Sequence, residues 1–286
     1  MRQAHKTFTN AILAATLAAG GTAHAATNPD PGDYTALPAG TDISLVYAVN
    51  ARADQVYASG SKVPLPRNLG LDLDIGIFRH VHFMNWGGYR IDPQIVIPFG
   101  RQTVGLTGTK TSGIGDIIFG GTLWTIADLA NGEHLGYTAF ITAPTGKDKS
   151  MGFALSDNRW AVDLQVGYIR SLSAKWTVDL IGQAEFYQRE RSTGAKRDPL
   201  VRGHAHLRYH LSESSHIAAS LRQSMGGEEK LNGTTLAGRK NDTNLQLTWA
   251  SFLTKQVQVQ LHYAQDVKVE NGPKVKALGL RALYAF

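Results

Sequence analysis

The sequence predicts an all-β fold, a closed antiparallel transmembrane β-barrel of about twelve strands. Three observations carry this: alternation of apolar and polar residues along most of the chain, connections that are by turns short and long, and an alternating last strand that ends on Phe286.

Alternation comes first because side chains on a strand point to opposite faces in turn. Trp160, Val162, Leu164, Val166 and Tyr168 fall on one face, and Ala161, Asp163, Gln165 and Gly167 on the other. Further on, Val257, Val259, Leu261 and Tyr263 oppose Gln256, Gln258, Gln260 and His262. Stretches of this kind are read at 41–50, 69–83, 88–98, 113–126, 134–144, 159–170, 175–187, 199–211, 216–225, 241–252, 256–266 and 275–286. Most are near the 9–11 residues that cross a bilayer at a tilt, and an even number suits a bacterial barrel.

The connections give the second sign. Short links lie near Asn85, Asn131, Ser173, Glu213 and Thr254, and longer polar or glycine-rich ones at 51–67, 99–112, 145–158, 188–198 and 226–240. A short link after Asp266 is the exception. With the amino terminus in the periplasm, short turns fall on the periplasmic rim and long loops outside, as in outer-membrane barrels.

Which face meets water separates a membrane barrel from a soluble one. The stretch 199–211 places Arg202, His204, His206, Arg208 and His210 on one face, with Val201, Ala205, Leu207 and Tyr209 on the other. Five polar or cationic side chains cannot fill a dry core without partners, but they can line water. The expected lumen lining is therefore these five with Asp163, Gln165, Asp179 and Glu185, joined by Gln258 and Gln260 and by Asp72 and Asp74 from 69–83. Asp179 and Glu185 are the acids expected to pair with the arginines. Glycines at 76, 113, 115, 120 and 121 suggest room for a ligand or a lateral opening in the wall.

In the last strand Leu278, Leu280, Ala282, Tyr284 and Phe286 share a face. Tyr284 and Phe286 form the expected carboxy-terminal signal for the barrel assembly machinery, since an interfacial aromatic suits the rim. Tyr47, Trp124, Tyr137, Trp160, Tyr168, Trp176 and Trp249 are candidate girdle aromatics facing lipid and lipopolysaccharide.

Residues 1–25 have Arg2 and Lys6 before an apolar run and close on Ala23-His24-Ala25, the order of a cleavable secretory signal. The run is too short to span a bilayer, and no later stretch is long enough for a spanning helix. Residues 26–286 are then one barrel domain in the outer membrane of a Gram-negative cell. Removing the signal takes two positive charges from a net of +6, leaving +4 spread along the chain, a poor match to nucleic-acid binding. The chain has no cysteine, so the exported fold needs neither disulfide nor thiolate metal site.

Catalytic and cofactor motifs fail on inspection. Gly146-Lys147 lacks the earlier glycine of a phosphate loop and is followed by Asp148 where Ser or Thr is required. Gly113-x-Gly115 lacks a third glycine and a following helix. His204, His206 and His210 share a face, but Arg202 and Arg208 beside them repel a cation. Ser224, His216 and Asp242 are the scattered candidates for a hydrolase, with no local motif joining them. No catalytic residue, metal or cofactor is expected; the alternative to a channel is a structural or adhesive outer-membrane barrel without transport, with an outer-membrane hydrolase after it.

Leu37–Thr41 (LPAGT), Ile77–Phe83 (IFRHVHF), Ile97–Gly100 (IPFG), Gly113–Asp116 (GIGD), Ala143–Asp148 (APTGKD) and Asn158–Trp160 (NRW) occur in an order that resembles the outer-membrane transporter family associated with the meta-pathway of phenol degradation. The resemblance spans nearly the whole mature chain. It implies a barrel that admits small aromatic or hydrophobic solutes to the periplasm for degradation, and it brings no catalytic residues with it.

Overall fold

In the computed structural model, which describes residues 27–147 and 153–286, alternation is realised as twelve long strands. The expected signal lies outside the described residues. The strands are β1 (Asp42–Ala53), β2 (Leu71–His82), β3 (Tyr89–Val104), β4 (Ile118–Asp128), β5 (Glu133–Thr142) and β6 (Ala161–Ser171), then β7 (Trp176–Tyr187), β8 (Leu200–His210), β9 (Ser215–Gly226), β10 (Lys240–Phe252), β11 (Val257–Lys268) and β12 (Lys276–Ala285).

Each strand pairs antiparallel with the next, and β12 returns to β1 from Ile43↔Ala285 to Arg52↔Lys276. Closure leaves the twelve-stranded ring itself without a free edge, so its strands satisfy their backbone groups within the ring, the condition for crossing a bilayer with strands. Among the described residues no helix is long and apolar enough to cross a membrane. The seam is tied at the rim as well: the backbones of Asp42, at the start of β1, and Phe286, just past β12, exchange hydrogen bonds of 3.0 and 2.9 Å.

The twelve expected stretches correspond one to one with these strands, with two boundaries displaced by five or six residues. Segment Thr109–Ile114 folds back on β3, pairing Val104↔Thr109 through Phe99↔Ile114. Consequently β3 extends to Val104, Gly113 and Ile114 belong to this hairpin, and β4 starts at Ile118. Tight turns at 129–132, 172–175, 211–214 and 253–256 mark one rim, and longer loops the other.

Outward residues are the greasy set. Leu207, Leu247, Leu261 and Leu280 are exposed, as a lipid-facing wall requires. Tyr137, Trp160, Trp176 and Trp249 join them, and Tyr168 faces out with its hydroxyl donating to Glu133 at 2.6 Å. Tyr284 and Phe286 stack at 5.6 Å on the short-turn rim. Two of the expected girdle aromatics are instead inside. Trp124 is buried and donates its indole N–H to Asp92 at 2.9 Å, and Tyr47 lies in the lumen beside Arg281. Trp124 turns inward because its polar edge has a carboxylate there, and Tyr47 because β1 is apolar on both faces and its parity misleads.

Candidate functional site

The lumen has two unlike walls. On β6–β8 the inward residues are polar and paired strand to strand. Asp163 accepts from Gln165 at 2.9 Å and Gln183 at 2.7 Å. Glu185 meets Arg202 at 2.9 Å, and Asp179 accepts from Arg208 Nε and Nη2 at 3.0 and 2.9 Å. His204 bonds Gln183 at 2.9 Å, while His210 sits near the short-turn rim with Thr177 at 2.9 Å. Across β11, Gln258 accepts from Arg281 at 2.9 Å and Gln260 is fully buried. Eleven of the thirteen expected lining residues thus face inward, and the two arginines of β8 meet the acids of β7. Buried pairs of this kind hold geometry as long as both members stay.

Asp72 and Asp74 do not face the lumen. On β2 the inward set starts with Leu71, Leu73, Ile75 and Ile77, all buried, and continues with Arg79 and Val81; the aspartates lie on the opposite face, nearly half exposed, with Arg52 and Arg101. The assumption that every polar face is luminal fails here. β2 turns its apolar set inward and lets its acids reach water on the outside, at the long-loop end of the strand. With Leu45, Val49 and Ala51 of β1 and Val96 and Val104 of β3, these residues make an apolar inner wall. Phe153, Ala154 and Leu155 fold in from the β5–β6 loop to cap it.

A segment with no strand pattern forms the floor. Residues 27–37 enter the barrel from the short-turn rim and are fastened mainly to the polar wall. Tyr34 donates to Thr138 and Gln165 at 2.9 Å each, within an O–H···O contact shared between two acceptors. Gly32 N–H donates to Asp179 at 2.7 Å, Gln165 donates to the Thr27 carbonyl at 3.0 Å, and Asp33 lies 2.8 Å from Arg281 and 3.1 Å from Arg79. Gly167 makes room: a Cβ there would lie 2.1 Å from the Tyr34 ring. The segment divides the lumen into a cavity of about 230 Å³ toward the long loops and one of about 470 Å³ toward the short turns.

The long loops are organised by buried carboxylates. Asp116 accepts from Gly146 N–H at 2.9 Å, Ser156 at 3.1 Å and Asp157 N–H at 2.7 Å. Burial raises its carboxyl above the usual range despite the bonds from Asp157, Gly146 and Ser156. Beside it, Asp157 and Glu229 clasp Arg159 and Arg197. Burial opposes the charge on Arg197, but Asp157 and Glu229 outweigh it and hold the guanidinium firmly protonated. The short motifs around Asp116, Gly146 and Arg159 therefore meet in space as loop fasteners. Asp148 lies outside the described residues.

The glycines do not hold space open. A Cβ on Gly120 would lie 2.0 Å from the Ala139 carbonyl, one on Gly115 2.5 Å from that of Leu155, and one on Gly76 2.3 Å from the Phe99 ring. They permit close approach of backbone and rings. Among the described residues no cluster of three metal-ligating side chains forms. Ser224 faces Asp242 across β9 and β10, but His216 stands eight residues away along β9, about 26 Å at roughly 3.3 Å per residue.

Sequence reasoning passed over the floor residues Asp30, Asp33 and Tyr34, the inner arginines Arg79, Arg222 and Arg281, and the apolar wall. One sign was present: Pro29-Asp30-Pro31-Gly32-Asp33-Tyr34 joins two chain-stiffening prolines to two acids and an aromatic, unlike a solvated linker.

Comparison with known proteins agrees with this architecture. Residues 53–282 match the family described as "Putative MetA-pathway of phenol degradation". The structure is similar to the COG4313 outer membrane channel from Pseudomonas putida F1, at 34% identity and a TM-score of 0.85, covering 91% of this chain and 100% of that one. The transport unit of the autotransporter AIDA-I from Escherichia coli shares the fold alone, at 10% identity and a TM-score of 0.54, covering 96% of this chain and 99% of that one. No curated protein matches.

Proposed function

The chain belongs to the phenol-degradation MetA-pathway family, with the COG4313 outer membrane channel as a relative, and from that premise we propose that it admits small aromatic or hydrophobic solutes through the outer membrane. The observation that carries this reading is the apolar inner wall of β1 and β2, where Val49, Ile75 and Ile77 line the cavity beneath the long loops. A channel for sugars or ions has no use for such a surface, because water beside it gains nothing. An apolar ring leaving water does, by roughly 25 cal/mol per Å² of apolar area buried.

The floor supports the same reading. It fills the centre of the barrel with paired charges and hydrogen bonds, so a straight aqueous pore is narrow at mid-height, while the cavity above keeps its greasy side. Lipopolysaccharide resists apolar solutes, so an apolar foothold at the outer surface is where a barrel helps most. The test is uptake by cells lacking general porins that express this protein. Labelled toluene should enter faster than in cells without it, and a labelled monosaccharide should not. Equal acceleration of both, or of the sugar alone, would contradict the proposal.

A further inference from the structure

Opposite the apolar wall, the same cavity presents Arg222 of β9. Its neighbours across the ladder are His204 and Asn244, and it faces inward with Ser220 and Ser224. Among the described residues Arg222 has neither a hydrogen bond nor an ion pair. That is unusual for an arginine drawn out of water into a lumen, because an unpaired charge there is costly.

The other charges of the cavity are already engaged. Arg202 is paired with Glu185 at 2.9 Å and Lys240 with Asp242 at 3.3 Å. Asp242 also accepts from Glu270 N–H at 2.7 Å, and Asp266 accepts from Asn244 at 2.9 Å and Val275 N–H at 2.9 Å. Asp30, in the floor, has Gln246 at 3.3 Å and Arg281 at 3.5 Å. What is left over is one positive fork, and a ring of buried polar groups lies below it. Neither ring nitrogen of His206, nor the Ser220 hydroxyl, nor Nδ1 of His262 has a hydrogen-bond partner among the described residues. His206 and Ser220 are register partners on β8 and β9, and all three line this cavity. His206 is only 4% exposed.

We propose that Arg222, with His206 and Ser220 beneath it, is a binding site for the carboxylate of a small apolar acid whose ring or chain rests on Ile75 and Ile77. The inference rests on the uptake reading and narrows it to a solute class: amphipathic, with one anionic end and one greasy end. A guanidinium fork matches a carboxylate in shape and charge, and such charge-assisted bonds are the strong ones. The cavity of about 230 Å³ falls below the roughly 300–1,000 Å³ of drug-sized pockets, which suits a single-ring solute. Neutral solutes keep the apolar half of the site and lose the polar half.

The test compares benzoate, benzamide and benzylamine, alike in shape and different in charge, by calorimetric titration of the full barrel in nanodiscs. Benzoate should bind about tenfold tighter than benzamide, the expected size of a charge-assisted bond lost, and protonated benzylamine should not bind. Arg222→Gln should bring benzoate down to the benzamide level and leave benzamide unchanged, and Arg222→Lys should fall between. The comparison of ligands on the unmodified protein needs no variant to fold, and heat-modifiable gel mobility checks those that are made. Equal binding of benzoate and benzamide, binding of neither, or an Arg222→Gln protein that still prefers benzoate would each overturn the carboxylate site. None of these touches the uptake reading, which is judged by toluene entry in cells.

Discussion

On β1 and β2 most of the residues that meet the lumen are apolar, among them Leu45, Val49, Leu73, Ile75 and Ile77, whereas β7 and β8 meet it with Asp179, Glu185, Arg202 and Arg208. Both walls are built from the same period-two strands and the same closed ladder, but β7 and β8 turn mostly apolar side chains to lipid, whereas the outer face of β2 also carries Asp72, Asp74 and His80. They differ in what holds them from inside. The apolar wall is held by non-directional burial, and any apolar residue of similar volume serves. The polar wall is held by charge pairs that fail when one member is lost. One wall can therefore host a greasy solute while the other fixes the floor that narrows the passage.

Substitutions that unbalance the two walls sharpen this contrast. The largest effect is expected on the polar side. Asp179→Ala would strand the buried Arg208 and release Gly32, destabilising the barrel by about 3–5 kcal/mol, seen as a lower unfolding midpoint in urea. On the apolar side, Leu73→Ala removes only packing and should cost about 2–4 kcal/mol by the same assay. If the order were reversed, the polar wall would be a solvated surface and the contrast would break.

Gly167→Ala drives a methyl into the Tyr34 ring and should cost about 1–3 kcal/mol through overpacking. Its more telling effect is to loosen the floor, so current through single barrels in planar bilayers should rise above that of the unmodified protein. Unchanged current would mean that the segment does not set the passage.

The smallest effect lies in the long loops. At Glu190 burial alone would raise the carboxyl, but bonds from Thr193, Ser192 and Asn158 outweigh it and hold the group at about 2. The folded value lies below the usual 4.5. The stabilisation is therefore complete above about pH 4.5 and is lost as pH falls toward 2. Amide exchange at Ser192 and Thr193 should accelerate across that window while the strands stay protected.

The contrast between the walls also explains what was legible in the sequence. Strands such as β6, β8 and β11 alternate sharply because their two faces meet different solvents, so their boundaries and their inward residues from Asp163 to Gln260 could be read directly. β1 and β2 meet apolar surroundings on both faces over Leu45–Val49 and Ile75–Phe78. Alternation fades there, and a rule that places every polar face inward, which holds only for the other wall, puts Asp72 and Asp74 on the wrong side. The floor was illegible for a different reason: residues 27–37 have no periodicity, and apart from Arg79, 46 residues on from Asp33, their hydrogen-bonded side-chain partners on the strands, from Thr138 to Arg281, lie more than a hundred residues away. Arg222 lay within an expected strand, but that it lacks a partner is a property of the assembled lumen, which no local pattern records.

The central claim is that the apolar wall carries the solute. It is tested most directly by the initial rate of labelled toluene entry into porin-deficient cells expressing Ile77→Asn at levels matched to the unmodified barrel. A polar amide in the middle of that wall should reduce the rate to near that of cells lacking the protein, with heat-modifiable mobility intact. A rate equal to that of the unmodified barrel would contradict the account.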